Sequence, residues 1–222
     1  MVQTTKPHVF VNYIVYHEGE SLPPIARDCL YEYVFARNGV FVRSEREGLH
    51  ATIPVCDSQE MTLNGLAELK QEIRISRRVR LQITEYALST CMYAMPDECL
   101  LWIGFSNNEY AVTIPDQVAG TMFVHPAHPY QSEGAEALID IHSHDCMIPI
   151  FSTTDDRDET GFRIFAVVGL LDTRPSILVR VGIFGHFQIV PAESVFEMPT
   201  WLSDYSKTAF WKEEVNHGSA QP

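Results

Sequence analysis

The sequence predicts a mixed β-sheet flanked by helices, of the α/β or the α+β class, preceded by a small β-containing subdomain. Two observations predict this fold. An amphipathic helix pattern at residues 77–94 is followed by apolar segments typical of buried strands, and residues 1–62 contain short β-branched segments. The order of helix, three strands, short helix and further strands fits both classes, and the sequence does not separate them.

Residues 1–62 are predicted to form the N-terminal subdomain. Residues 8–16 (HVFVNYIVY) are β-branched and aromatic, which predicts a strand. Residues 31–42 contain strand-like stretches around a hairpin-type turn signal, Asn38-Gly39, and residues 50–55 (HATIPV) predict another short strand. No motif in this subdomain points to chemistry.

The main domain is predicted to begin with a helix. From Met61 the pattern becomes helical, and between Arg77 and Ala94 apolar residues recur at every fourth position, as on one face of an amphipathic helix. Pro96 and Asp97 end this helix. The apolar positions are Val79, Ile83, Ala87 and Cys91.

Apolar strand segments alternate with turns after this helix. Ser152 can cap a short helix over residues 153–160, and Gly161 follows its end. Residues 63–198 are therefore predicted to form the main domain, and the polar residues 199–222 a tail. The predicted strands are residues 98–105 (ECLLWIGF), 109–115 (EYAVTIP), 137–144 (ALIDIHSH), 162–171 and 176–190, with a loop over residues 125–137.

The overall composition limits the function classes that the chain fits. The 29 acidic and 16 basic residues give a net charge of −13, which argues against a nucleic-acid-binding surface. No apolar run approaches the ~18 residues of a membrane span, and the N-terminal segment lacks the pattern of a secretory signal. The sequence contains five cysteines and no CxxC pair, which predicts that they are free thiols. The sequence predicts a soluble, cytoplasmic protein that binds neither nucleic acid nor membrane.

One stretch carries a pattern of metal ligands: His142-Ser143-His144, seven residues, then Ser152-x-x-Asp155. On a strand, residues two apart point to the same face, so both imidazoles can reach one ion. Asp155 lies in the first turn of the predicted short helix. Two nitrogens and one carboxylate oxygen leave a fourth position for water, as in catalytic zinc sites. The pattern predicts Zn²⁺ bound by His142, His144 and Asp155.

Hydrolysis at such a site also needs a general base and a donor to the developing oxyanion. Glu98 is the candidate base, because it begins a buried strand directly after a helix, where a lone carboxylate has no evident structural reason to be. Ser152 is the candidate oxyanion donor through its hydroxyl group. The S-x-x-D spacing is also that of an ordinary helix capping box, and Ser152 can serve both roles.

This combination resembles the JAMM (JAB1/MPN/Mov34) family of zinc metallopeptidases, in its bacterial JAB branch. The resemblance covers roughly residues 63–190 and is carried by the HSH…SxxD pattern, by residues 96–104 (PDECLLWIG) and by residues 155–169 (DDRDETGFRIFAVVG). It implies a JAB/MPN-type fold. It also implies that His142, His144 and Asp155 are the zinc ligands, that Glu98 activates water and that Ser152 assists the oxyanion.

The resemblance also implies a substrate. Known JAMM members cut isopeptide or peptide bonds after the C-terminus of ubiquitin or ubiquitin-like proteins. In bacteria they accompany activating-like and conjugating-like enzymes of the same gene cassette, which are the expected partners here. Two departures from the family pattern remain. Asp145 stands where eukaryotic members usually carry proline, and the spacing from Glu98 to Gly104 is one residue shorter, which leaves Asp97 as a rival base.

Several alternatives stay open at the level of sequence. The chain could be a non-catalytic JAB scaffold, or a metallohydrolase of a small molecule or a sulfur-carrier adduct. Cys146 could be a fourth ligand that closes the site and makes it structural. His125 and His128 could contact the metal or a substrate, or be plain loop residues. The acidic residues of the short helix are most simply a solvated face, although one of them could orient a ligand; they are Asp156, Asp158 and Glu159.

Overall fold

The computed structural model of the chain describes residues 12–26, 28–57, 65–128, 134, 136–209 and 211. Parts of the strand predicted at residues 8–16, of the loop at residues 125–137 and of the tail lie outside these ranges. The predicted mixed fold is confirmed, and the mixed sheets and three helices of the described residues are consistent with the α+β class. Of the helices in the described residues, none combines the length and apolar character that crossing a bilayer requires.

The chain divides into two compact units. The first comprises residues 1–45 and 50–73, and the second comprises residues 46–49 and 74–222. A five-stranded sheet in the order β1-β2-β3-β4-β5 is built largely from residues of the first unit. Its strands are Tyr13–Val15, Glu32–Ala36, Gly39–Arg46, Leu49–Asp57 and Glu72–Ile75.

The hairpin predicted around Asn38-Gly39 is confirmed. β2 and β3 pair antiparallel, with Ala36 opposite Gly39. The Asn38 side chain accepts from the backbone N–H of Leu69 at 2.9 Å and donates to the Leu69 carbonyl at 2.8 Å, so the turn residue also fastens a later segment of this unit.

The second unit is built on a seven-stranded sheet that carries the predicted site. Its order is β13-β12-β11-β10-β6-β7, with β14 paired to β12. β10 and β11 run parallel, as do β12 and β14, and the other pairs are antiparallel. The strands are β6 Leu100–Ser106, β7 Glu109–Thr113, β10 Ala137–Ser143, β11 Phe162–Gly169, β12 Ser176–Ile183, β13 His186–Val190 and β14 Ser203–Asp204.

The other elements in the described residues of this unit are three α-helices, a 3₁₀ turn at Tyr205–Lys207 and a separate hairpin. α1 (Leu81–Ala94) buries the face that carries Ala87 and Cys91, as its periodicity predicts. α2 (Thr153–Asp158) is the predicted short helix, and α3 (Ala192–Val195) is a single turn. β8 (Gln117–Gly120) and β9 (Phe123–Pro126) form a two-stranded antiparallel hairpin.

The helix prediction for the segment before α1 is wrong. Residues 72–75 form strand β5, because their side chains alternate between exposed and half-buried positions, which is the period of a strand. Val79 is fully buried and makes a β-bridge with Phe196, so it packs in the core without belonging to the helix. The β8–β9 hairpin was not predicted either, because residues 117–126 lack a clear alternation of apolar and polar residues.

Candidate metal centre

Two antiparallel strands bring the upstream carboxylate to the histidines. At the end of the β10–β6 pair, the N–H of Ser143 donates to the carbonyl of Cys99 at 2.9 Å, and the Oγ of Ser143 accepts from the N–H of Cys99 at 2.8 Å. Continuing this register by one residue places Glu98 opposite His144. Residues 46 positions apart in the sequence therefore meet at one end of the sheet.

Three side chains from β10 and α2 converge at this end. The Nε2 of His142 lies 3.2 Å from the Nε2 of His144 and 3.5 Å from the Oδ1 of Asp155. One ligand atom from each residue lies within 4.8 Å of the others, so the group could hold a metal ion. His142 is buried, and the other two are half-buried. A metal site at these residues is thus supported, while the identity of the metal stays a prediction.

A reciprocal pair of hydrogen bonds orients the carboxylate of Asp155. Ser152 is the N-cap of α2, and its Oγ accepts from the N–H of Asp155 at 3.2 Å. In return, the N–H of Ser152 donates to the Oδ2 of Asp155 at 2.5 Å. Because one carboxylate oxygen is held by this capping box, the other is directed toward His142. The same cap therefore stabilises the helix and orients Asp155 as a ligand.

The loop after β10 fixes the second histidine. The Nδ1 of His144 faces the carbonyl of Ile148 at 3.3 Å. The loop closes against the end of β11, where a Cβ on Gly169 would lie 2.2 Å from the carbonyl oxygen of Met147, so only glycine fits. Asp145 has a φ of +48°, a conformation that proline cannot adopt. Aspartate therefore fits the backbone at this position, and proline would not.

The protonation of the two rings favours a cation between them. The Nδ1 of His144 faces the carbonyl of Ile148, and the Nδ1 of His142 faces the carboxyl group of Glu159, so a tautomer with the proton on Nδ1 and a lone pair on Nε2 is open to both rings. Burial lowers the pKa of His142 to about 4, against the opposing effect of Asp155. In that tautomer the two Nε2 lone pairs, 3.2 Å apart, repel each other unless a cation lies between them, so the donor set fits a metal ion.

Of the two candidate bases, Glu98 is the one next to the ligands. Glu98 is 6% exposed, whereas Asp97 is exposed. Burial raises the pKa of Glu98 to about 7, and the negative charges of Asp155 and Asp145 add to the rise. A carboxyl with this pKa can both accept and return a proton near neutral pH. Its N–H donates to the carbonyl of Gly120 at 2.9 Å, which ties it to the β8–β9 hairpin.

Behind the ligands lies an ion-pair cluster that the sequence did not predict. Glu159 was expected on a solvated helix face, but it is 8% exposed, and its Oε1 lies 3.9 Å from the Nδ1 of His142. Arg180 of β12, 4% exposed, donates to Glu159 Oε2 at 2.8 Å and to Asp156 Oδ1 at 2.6 Å. Its guanidinium lies between the rings of Phe151 and Phe187. A lone arginine within the apolar run SILVRVGI was the signal for this cluster.

The remaining candidate ligands lie outside the group. Cys146 is exposed, and its Sγ contacts the Oδ2 of Asp145 at 3.5 Å. His125 and His128 are exposed, and the ring of His125 stacks on that of Phe123. Within the described part of the chain, the one set of three or more candidate ligands contains none of these residues. The candidate ligands among the described residues are therefore His142, His144 and Asp155.

Comparison of the chain with models of known protein families and with curated proteins gives no match in either case. Membership of the JAMM family therefore stays a prediction that rests on the sequence pattern described above. The positions of His142, His144, Asp155 and Glu98 in the structure are a second ground for this prediction.

Proposed function

We propose that this chain is a zinc-dependent peptidase of the JAMM type, which hydrolyses an isopeptide or peptide bond after the C-terminus of a ubiquitin-like protein. The observation that carries the proposal is the placement of a buried carboxyl, Glu98, beside a group of three candidate ligands. A structural metal site has four protein ligands and needs no such neighbour.

The spacing of the donor atoms supports zinc as the metal. Bonds of about 2.1 Å to a tetrahedral zinc ion hold neighbouring ligand atoms about 3.4 Å apart. The separations of 3.2 Å and 3.5 Å around the Nε2 of His142 match this edge length. Two imidazole nitrogens and one carboxylate oxygen are also a typical donor set for catalytic zinc.

Each residue of the site has its own role in hydrolysis. A zinc ion bound there supplies Lewis-acid chemistry that lowers the pKa of water to about 7. The carboxylate of Glu98 takes a proton from the attacking water and passes it to the leaving amine nitrogen. The Oγ of Ser152 accepts from the N–H of Asp155, so its own proton can be donated to the developing oxyanion.

An exposed apolar surface next to Glu98 supports a protein substrate. Val118, Met122 and Phe123 of the β8–β9 hairpin are 47%, 70% and 50% exposed. Exposed apolar side chains that cluster beside a functional site are typical of protein-binding surfaces. Because Gly120 of the same hairpin binds the backbone of Glu98, a substrate docked on the hairpin would lie close to the base. The choice of a ubiquitin-like protein comes from the JAMM resemblance.

The test combines metal content with turnover. Zinc is measured by elemental analysis in wild type, His142→Ala/His144→Ala, Glu98→Gln and the control Asp97→Asn. Turnover is measured on ubiquitin and on bacterial ubiquitin-like proteins, each fused at its C-terminus to a fluorescent peptide reporter. We expect about one zinc per chain in all but the double-histidine variant. We also expect Glu98→Gln to reduce turnover by about 10²- to 10⁴-fold, with Asp97→Asn close to wild type.

Two results would contradict the proposal in different ways. A wild-type chain that binds no zinc after reconstitution would remove the metal site and the mechanism together. A chain that binds zinc but cleaves none of the fusions would leave the site intact and favour the non-catalytic scaffold, or a metallohydrolase of small molecules.

A further inference from the structure

The two ring nitrogens of each histidine at the metal centre face different environments. The Nε2 atoms face each other and Asp155, whereas the Nδ1 atoms point away from them. For His144, the group opposite Nδ1 is the carbonyl of Ile148 at 3.3 Å. For His142, it is the carboxylate of Glu159, whose Oε1 lies 3.9 Å away.

The two oxygens of Glu159 have unequal surroundings. Oε2 accepts from the Nε of Arg180 at 2.8 Å and lies 2.6 Å from its Nη2. Oε1 is buried and has no hydrogen-bond partner among the described residues. A buried carboxylate oxygen without a partner costs free energy, and the Nδ1 of His142 lies 3.9 Å from this oxygen.

We propose that Glu159 is a positioning residue of the metal centre, with Oε1 as the acceptor for the Nδ1–H of His142. The proposal rests on the metal site of the proposed function. At 3.9 Å the two atoms are within ion-pair distance, and a shift of about 1 Å by either side chain completes a hydrogen bond. That bond fixes the tautomer with Nε2 free for the metal and makes the ring a stronger ligand.

Arg180 holds Glu159 in this orientation. Arg180 is 4% exposed, and its guanidinium lies 3.9 Å and 3.7 Å from the ring centroids of Phe151 and Phe187 and binds Asp156 as well as Glu159. A buried ion pair of this kind contributes little net stability compared with apolar residues, so stability alone does not explain its presence. Orienting Oε1 of Glu159 toward a metal ligand does explain it.

Asp156 provides a matched control. Both side chains bind Arg180, but only Glu159 faces His142. The comparison of Glu159→Gln with Asp156→Asn therefore separates the contact with His142 from the support of Arg180.

The experiment measures zinc affinity of the full chain by competition with a chromophoric chelator, and the chemical shift of the Nδ1 of His142 by NMR of ¹⁵N-histidine-labelled zinc protein. We expect Glu159→Gln to bind zinc about 10- to 100-fold more weakly than wild type, and Asp156→Asn to bind like wild type. The Nδ1 shift should move in Glu159→Gln alone. Equal zinc affinities in the two variants, or an unmoved Nδ1 shift, would overturn the proposal.

Because Glu159→Gln leaves Arg180 with one fewer partner, Glu159→Gln/Arg180→Met serves as a second variant that removes both charges. The proposal expects its zinc affinity to stay low, and recovery to the wild-type value would overturn it. Absence of zinc from the wild type would overturn this inference together with the proposed function. Zinc binding without hydrolysis of any fusion would contradict only the peptidase activity.

Discussion

The N–H of Ser152 donates to Oδ2 of Asp155 at 2.5 Å, and Oδ1 of the same carboxylate lies 3.5 Å from the Nε2 of His142. One side chain therefore closes the capping box of α2 and contributes a ligand atom to the metal centre. Because the cap fixes the rotation of the carboxylate, the ligand is oriented before any ion binds. Helix capping and metal binding can be separated by substitutions at the two residues.

We expect Asp155→Asn to abolish zinc binding and Ser152→Ala to retain it. Asparagine keeps an oxygen for the cap but removes the charge that the metal needs, whereas alanine at position 152 removes the cap and costs about 1 kcal/mol of stability. Zinc content by elemental analysis and thermal unfolding of the metal-free proteins check both statements. Wild-type zinc content in Asp155→Asn would contradict the ligand assignment.

We expect Ser143→Ala to lower hydrolysis more than zinc binding. Its Oγ accepts from the N–H of Cys99, the residue next to Glu98, and the loss leaves that buried N–H without its acceptor at a cost of about 1–3 kcal/mol. The base should then be less well placed while His142 and His144 still bind. Turnover, zinc content and thermal unfolding are measured together.

Ser176→Ala is the control for Ser143→Ala. Ser176 is also buried, and its Oγ donates to the carbonyl of Arg174 at 2.9 Å, at the start of β12. We expect a modest loss of stability and unchanged turnover per folded molecule. If Ser143→Ala turned over substrate at the wild-type rate, the link through Cys99 would have no role in placing Glu98.

The stability of the metal-free protein should depend on pH through Glu98. Its pKa is about 7 in the folded chain, against about 4.3 in an unfolded one. The folded state therefore holds the proton more tightly, and the stabilisation that this provides is fully present below about pH 4.3 and is lost as the pH rises to about 7. Glu98→Gln lacks this titration, so its stability relative to wild type should increase with pH.

Urea unfolding of the zinc-free wild type and of Glu98→Gln at about pH 5 and about pH 8 checks this sign. Other titrating groups, such as Glu159, are common to both proteins and cancel in the difference. A difference in unfolding free energy that stays constant between the two pH values would show that the pKa of Glu98 is not raised.

We expect Asp145→Pro to destabilise the chain and Asp145→Asn to be tolerated. The φ of +48° at this position is open to asparagine and closed to proline, whose ring holds φ near −65°. The loop that carries Ile148, the acceptor for His144, would have to move, so zinc affinity should fall as well. Thermal unfolding and chelator competition measure the two effects. A stable, zinc-binding Asp145→Pro would mean that this backbone conformation is not required.

The sequence predicted most of the strands of the second unit and its short helix, because their patterns are local. Strand β5 at residues 72–75 was missed, since a four-residue strand with charged alternate positions does not differ clearly from the end of an amphipathic helix. The β8–β9 hairpin was missed because its exposed apolar residues, such as Met122 and Phe123, break the usual alternation. Such short elements depend on their neighbours for their stability.

The sequence by itself determined which atoms can act together within a few residues. Histidines two apart on a strand share a face, and a serine three residues before an aspartate caps a helix, whatever surrounds them. Only the tertiary structure decided how these pieces meet. The register of β10 against β6 brought Glu98 opposite His144, and the pairing of β11 with β12 brought Arg180 to Glu159. Strand pairing and burial are properties of distant segments, and no local pattern contains them.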